Sequence, residues 1–446
     1  MRVAIDARML GPKQGGLGRY VEELTKNLNC HPERSEGSLA FESRDSSVAP
    51  LPQNDNQFVV FLRQENWDLV EEKPGLKKVL ADIPWYGWKE QLRMPGIIKK
   101  EKPDLIHFPH WNVPLFYREP FVVTIHDLLL LHYPTRRAST LGPISYFFKN
   151  IAYRIVLRRA IYRAKKIIAI SEFTKQDILK NFNVAAEKIV VTPLGVTALP
   201  ACHCERAERA WQSPSLSNGI ASSPLRAPRN DINKPYVLYV GVAYPHKNLD
   251  GLLRAWKIFC EKYGNGYQLV LAGRKNYFYE RLMKEWIPAF AGMTQKETGL
   301  PARNARKRAC VAGGLRRPDQ SVGAPRNDTL IFTDYVPDEE LSALYKNASL
   351  YVFPSLYEGF GLPPLEAMAH GLPVVSSNRA SLPEVLGDAV LYFNPEKPEE
   401  MAAAIHRGLT DENLRLDLRL KGEKLIHKYS WENTAKQTLA AYEKVL

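Results

Sequence analysis

The chain has 446 residues, 45% of them hydrophobic and 24% charged, the make-up of a folded globular protein with room for two or three domains. No run of 18 apolar residues occurs, so no spanning helix is expected, and five cysteines are too few, and odd in number, for a disulfide framework. A net charge of +13 raises nucleic acid as a partner, but the cations form neither a reading helix nor a stacking platform, which excludes it.

The first residues, Met1 to Asp6, carry an acid almost at once and read as a first strand rather than a signal peptide. With the sparse cysteines, this predicts a cytoplasmic protein. After a strand at 3–7 come Gly15, Gly16 and Gly18, a glycine loop ahead of an apolar-periodic helix at 17–28. Alone, such a loop serves tight packing as readily as a ligand. Further strands are expected at 58–62, 105–108, 121–125 and 166–170. Between them, the His107–Trp111 loop and Leu131–Pro134 carry aromatic rings suited to the apolar faces of a sugar, or to plain packing. His126 ends the strand at 121–125, where a near-neutral imidazole can donate a hydrogen bond into a cleft, or can pair structurally with Asp127. The stretch 146–166 holds seven Lys or Arg and no acid, interleaved with Phe147, Phe148, Ile151 and Ile155. That pattern raises an interfacial helix, yet its cations spread around most of the circumference. A helix with a basic exposed side is expected instead.

The second half restarts with strands at 236–241, 268–273, 330–332, 349–353 and 373–376. Strands alternating with helices imply parallel sheets covered on both faces. In such sheets ligands bind beyond the carboxyl ends of the strands. Three stretches break the pattern, near 30–56, 202–232 and 286–328. Cys30-His31-Pro32-Glu33-Arg34 is echoed at Cys202-His203-Cys204-Glu205-Arg206, and Ala227–Asp231 recurs at Ala324–Asp328. They are rich in Ser, Pro, Ala, Gly and Arg and resemble translated mobile palindromic repeats found in some bacterial genes. Cys30, Cys202, Cys204 and Cys310 lie within them, and the Cys-His-Cys spacing is poor for zinc.

Residues 354–378 carry the most information. Glu358 and Glu366 flank Gly359-Phe360-Gly361-Leu362-Pro363-Pro364, between a strand and a helix that Gly371 should end. A strand, a glycine turn and a helix N-terminus together offer backbone N–H groups to an anion. Carboxylates there would repel a diphosphate, but each can accept hydrogen bonds from two sugar hydroxyls. The plainer alternative is a surface helix with Glu366 complementing its dipole.

The run Glu-Gly-Phe-Gly-Leu-Pro-x-Leu-Glu-Ala-Met-Ala-x-Gly-x-Pro-Val-Val at 358–375 resembles the E-x7-E signature of retaining glycosyltransferases of family 4. Val240 to Asn248, Ser381 to Val385 and the Gly15–Tyr20 loop resemble flanking segments of the same family. The resemblance implies an α/β protein of GT-B fold, two Rossmann-like doubly wound domains facing across a cleft. It divides the chain into an N-terminal acceptor-side domain at 1–200, a linker stretch at 201–232, and a nucleotide-sugar domain at 233–428. A closing helix at 429–446 would return to the first domain.

The resemblance also implies roles. His126 and Glu358 would be catalytic, placed against the transferred sugar. Gly16, Lys247, Gly359, Phe360, Gly361, Leu362 and Glu366 would bind the donor, with Val336 beside the nucleobase. His110, Trp111 and Tyr133 would face the acceptor. Family members carry a further arginine in the loop that here reads Gly241–Asn248; Val242 and His246 stand at the candidate positions, leaving His246 or another cation to serve. No Asp-x-Asp triplet occurs, so no metal and no cofactor beyond the nucleotide sugar is implied. The expected reaction is transfer of a hexosyl unit, of mannosyl type, to a glycan or lipid-linked glycan acceptor with retention, through an ion-pair-like same-face route. Association with the inner membrane surface is compatible with this reading. A phosphorylase or synthase on the same fold, or a decayed homologue, are the alternatives.

Overall fold

The computed structural model describes residues 1–11, 14–28, 57–133, 142–197, 232, 234–291 and 329–446. Apart from their edges, the three repeat-bearing stretches, with four of the cysteines, lie outside these residues. The N-terminal domain contains β1 (Arg2–Asp6), α1 (Gly15–Leu28), β2 (Gln57–Leu62), β3 (Leu76–Leu80), α2 (Trp88–Lys100), β4 (Leu105–Phe108) and β5 (Phe121–Ile125). It continues with α3 (Leu129–His132), α4 (Pro143–Arg163), β6 (Lys166–Ala169), α5 (Glu172–Asn181) and β7 (Ile189–Val191). Its 7-stranded sheet runs β3-β2-β1-β4-β5-β6-β7, every neighbouring pair parallel.

The C-terminal domain begins β8 (Tyr236–Val240), α6 (Leu249–Tyr263), β9 (Gln268–Ala272), α7 (Tyr277–Ala291), β10 (Leu330–Phe332), α8 (Asp338–Asn347) and β11 (Leu350–Phe353). It goes on through α9 (Leu362–Ala369), β12 (Val374–Ser377), α10 (Leu382–Leu386), β13 (Leu391–Phe393), α11 (Pro398–Thr410), α12 (Glu412–Ile426) and α13 (Trp431–Glu443). Its 6-stranded sheet runs β10-β9-β8-β11-β12-β13, again parallel. Each sheet reverses its strand order beside its first strand, between β1 and β4 and between β8 and β11. Ligand crevices in doubly wound sheets open at such reversals.

The central strands are buried from end to end, as in Phe121–Ile125 and Leu350–Phe353, and their unbroken apolar runs show in the sequence. The strands that sequence reading missed, β3, β7 and β13, all lie at sheet edges and are partly exposed. With Lys77 and Lys78 in β3, an edge strand gives up the apolar run that would reveal it.

One further expectation is corrected and another is extended. The stretch expected to begin a third insertion at 286 starts inside α7, because Trp286 and Phe290 continue the apolar side of that helix onto the core. The exposed side of α4 carries Lys149, Arg154, Arg158 and Arg163, as expected, but Ile144, Phe147, Phe148, Ile151, Ile155 and Tyr162 are exposed on it too. Tyr153, Val156, Leu157, Ala160 and Ile161 are the buried residues of the same helix.

One buried apolar cluster joins the α1 side of the N-terminal sheet to the C-terminal domain, and it includes Trp431, Ala435 and Tyr442 of α13. That helix lies on the N-terminal domain. The Trp431 indole N–H donates to Thr197 Oγ1 at 2.8 Å, Thr434 Oγ1 donates to the Pro193 carbonyl at 2.7 Å, and Tyr442 Oη meets His107 Nδ1 at 2.7 Å. A side chain at Gly195 would strike the Trp431 backbone N at 2.2 Å, so glycine permits this crossing.

Candidate functional site

The loop between β11 and α9 is held from beneath. Ser381 Oγ donates to the Glu358 carbonyl at 2.9 Å and to the Phe360 carbonyl at 3.3 Å, while buried Phe360 packs edge-on against Tyr429. Gly361 has φ +101°, and a Cβ there would lie 2.7 Å from Leu382 Cδ2, so only glycine turns the chain into α9 at this point. Pro363 and Pro364 then occupy the first turn of α9, where no amide partner is lost.

The loop after β8 is tied to this one. His246 O accepts from Leu356 N at 2.8 Å, and left-handed Asn248 (φ 56°) donates through Nδ2 to the Pro395 carbonyl at 2.8 Å. Lys247 is thereby fixed beside Glu358, with Nζ 2.6 Å from Oε1. His246 stacks near-parallel on Tyr244 at 5.9 Å. Burial, with the charge of Lys247, pushes the His246 imidazole down to about 4. An imidazole lowered in this way carries no positive charge near neutral pH, unlike an arginine.

The opposite wall comes from β5 and α5. A Cβ at Gly359 would sit 2.0 Å from the His126 carbonyl oxygen, so the turn between β11 and α9 rests directly on the backbone that carries His126. Ser171 Oγ, the cap of α5, donates to the Gly359 carbonyl at 2.7 Å. Tyr357 Oη donates to Asp177 Oδ2 at 2.6 Å, and Asp177 also holds His132 Nε2 at 2.7 Å. The amides of Glu172 and Phe173 donate to the Glu384 carboxylate, both at 2.7 Å, so a helix start on one domain is met by an acid from the other.

His126 does not pair with Asp127. Its Nε2 donates to the Pro109 carbonyl at 2.9 Å and its ring meets Tyr20 edge-on at 4.9 Å. Burial pushes it down to about 4. A neutral imidazole whose Nε2 carries the proton keeps Nδ1 as an acceptor, so here the ring nitrogen that donates is taken up by Pro109. Burial also raises the Asp127 carboxyl, against the amide of Leu129, which donates to Oδ1 at 2.9 Å.

The glycine loop separates two requirements. At Gly18 a Cβ would strike the Gly11 carbonyl oxygen at 2.0 Å, which is a packing need, while at Gly16 it would meet nothing within 4 Å. Packing therefore does not ask for glycine at 16; open space in front of the backbone is what a closely approaching ligand requires. One turn on, Arg19 reaches across the domains and pairs through Nη1 with Glu366 Oε1, its Nη2 lying 3.6 Å from Asp338 Oδ2. Glu366 is buried, also accepts from Tyr345 Oη at 3.3 Å, and is raised by burial. Val336 packs half-buried on the core near the start of α8, next to exposed Tyr335.

Of the residues expected on the acceptor side, His110 and Trp111 lie together, ring centres 4.7 Å apart, with Tyr86 5.6 Å from Trp111. Their loop is set by a buried network. Arg8 bonds Asp6 and Glu90 at 2.7 and 2.6 Å, and Asn112 Nδ2 donates to Glu90 Oε2 at 2.9 Å. The His110 Nδ1 atom is buried without a hydrogen-bond partner. Tyr133 stands apart from this pair. It lines an apolar cavity of about 310 Å³ with Leu129, Leu130, Tyr244, His246 and Leu356, between the two domains. Sequence reading missed Arg19, Ser171 and the Tyr357–Asp177 contact. Arg19 stood within the quoted glycine loop, but only the meeting of the two domains shows which acid it faces.

A model described as Glycosyltransferase Family 4 matches residues 49–198, and one described as Glycosyl transferases group 1 matches 225–287 and 308–425. The O-antigen chain mannosyltransferase B of Escherichia coli is 29% identical over 446 aligned residues, spanning 96% of this chain and 96% of its own length. The O-antigen chain mannosyltransferase RfbU of Salmonella typhimurium is 24% identical over 73% of this chain and 70% of its own. Among solved structures, a sucrose-phosphate synthase from Thermosynechococcus elongatus superposes with TM-score 0.63 at 17% identity, covering 100% of this chain and 98% of that one. The lipopolysaccharide glycosyltransferase WaaG superposes with TM-score 0.60 at 15% identity, covering 98% of each chain. At these identities the structures speak for the fold alone, two Rossmann-like domains in the GT-B arrangement.

Proposed function

We propose that this chain, a GT-B glycosyltransferase carrying a family 4 domain and a group 1 domain, moves a mannosyl unit from a nucleotide diphosphate mannose to a hydroxyl of a growing cell-surface polysaccharide. The relatives named as O-antigen mannosyltransferases support the sugar and the setting. The observation that carries the chemistry is the Lys247–Glu358 pair seated on the His126 backbone. Breaking the bond to the leaving group puts negative charge on a diphosphate and positive charge on the sugar ring. Lys247 offers a cation to the first, at the mouth of a turn and helix start suited to anions. Glu358 accepts from sugar hydroxyls and complements the ring's charge, while His126 accepts a further hydroxyl proton.

Arg19 supplies the second cation, the arginine that the 241–248 loop lacks. Glu366 holds the ribose hydroxyls of a bound donor, and the guanidinium it now pairs with turns to the diphosphate. In this reading no carboxylate serves as a covalent nucleophile. The sugar therefore leaves and is attacked on the same face, the departing phosphate takes the acceptor's proton, and the configuration is retained. No cofactor takes part. The acceptor is a glycan or lipid-linked glycan, met at the cytoplasmic face of the inner membrane.

The test is a panel of nucleotide diphosphate sugars with a mannan-type acceptor, read by nucleotide release and by proton NMR of the product. The expected result is turnover with a mannose donor and an α-linkage from an α-linked donor. An inverted linkage contradicts the same-face route, and a folded chain that turns over no donor contradicts the enzyme itself.

A further inference from the structure

Helix α4 has two apolar faces. At 100° per residue, Ile144, Phe147, Phe148, Ile151, Ile155 and Tyr162 all fall within about 60° of one line along the helix. Tyr153, Leu157 and Ala160 lie on the opposite side and are buried in the core of the N-terminal domain. A helix in a globular protein needs one apolar stripe, the inner one. The outer stripe is strongly exposed: 74% for Ile144, 61% for Phe147 and 64% for Phe148. Exposed apolar groups scattered singly are ordinary, but six aligned on one helix are not.

Charge identifies the occupant. Arg154 and Arg158 line one edge of the stripe and Arg159 and Arg163 the other, and no acid occurs anywhere between 146 and 166. Large apolar side chains edged by arginines suit the boundary of an anionic bilayer, with rings among the acyl chains and guanidinium groups at the phosphates. Among the described residues no helix is long and apolar enough to cross a membrane, so this face would lie on the surface.

We infer that the outer face of α4 is the surface by which the chain docks on an anionic lipid bilayer. Its inner face bears on the acceptor side, since Tyr153 packs edge-on against Trp111 at 4.7 Å. Docking through α4 therefore brings the His110–Trp111 loop toward the membrane that holds a lipid-linked acceptor. That last link rests on the proposed reaction; the docking surface does not.

The test is co-sedimentation of the full chain with vesicles of phosphatidylcholine, with and without phosphatidylglycerol, alongside nucleotide release on a water-soluble acceptor. The chain should sediment with the anionic vesicles and less so in high salt. Phe147→Ser with Phe148→Ser should weaken binding about tenfold or more, while melting and nucleotide release stay unchanged. Arg154→Gln with Arg158→Gln should remove the preference for phosphatidylglycerol. Failure to bind anionic vesicles, or undiminished binding by the double serine variant, overturns the inference. So does a dimer in light scattering that the serine substitutions dissolve, which would make a second copy the occupant. A chain that binds vesicles without releasing nucleotide would overturn the reaction and leave the surface standing.

Discussion

Arg19 and His126 are the residues whose chemistry the structure changes most. Arg19 is anchored on α1 of one domain and ends on the buried carboxylate of Glu366 in the other. If it serves the donor diphosphate, Arg19→Ala should raise the donor KM by about tenfold with a smaller effect on kcat, and Arg19→Lys should recover part of the loss. An unchanged donor KM would make the pair a structural bridge only. The histidines give a second prediction. Burial holds His107 and His110 near about 3 and His126 and His246 near about 4, each below the ordinary 6.5. On acidification the unfolded chain binds these protons first, so their stabilisation is complete above 6.5 and is lost as pH falls toward 4. Glu23, Asp127 and Glu366, raised by burial, act in the opposite sense, but the four imidazoles outnumber these three carboxyls in this window. The melting midpoint should be lower at pH 5 than at pH 7; an equal or higher value contradicts this balance.

Among the elements, the turn between β11 and α9 and the glycine loop at the start of α1 make different demands on glycine. Ala at Gly359 would place its Cβ against backbone, 2.0 Å from the His126 carbonyl, where no side chain can move aside. Gly359→Ala should therefore separate the two walls, lowering both turnover and melting temperature. Ala at Gly16 meets only open space, so Gly16→Ala should leave melting unchanged while weakening donor binding. Equal melting of the two variants would contradict this distinction. The sequence made the buried strands and the α9 turn legible, because continuous apolar runs, a glycine and two prolines are strong local signals. It hid β3, β7 and β13, whose exposed edges interrupt the apolar run. It also hid the second face of α4, because cations spread around the helix mask an alignment that appears only when the buried face is known.

At the scale of the molecule, the sequence named the pieces of the site but not their pairing. Lys247 and Glu358 are far apart in the chain and meet because β8 and β11 are neighbours at the reversal of the second sheet. His126 joins them because the domains touch at Gly359 and Ser171, and α13 crosses back to fix that contact. No local pattern encodes such meetings, so the Arg19–Glu366 pair and the His126–Pro109 bond could come only from the assembled structure. The proposed reaction turns on Glu358, held by Lys247 beside the His126 wall, acting on the transferred sugar. The most direct test is the rate of nucleotide release from a nucleotide diphosphate mannose by Glu358→Ala. A loss of about 10²- to 10³-fold with melting preserved is predicted; release at the unsubstituted rate would contradict the claim.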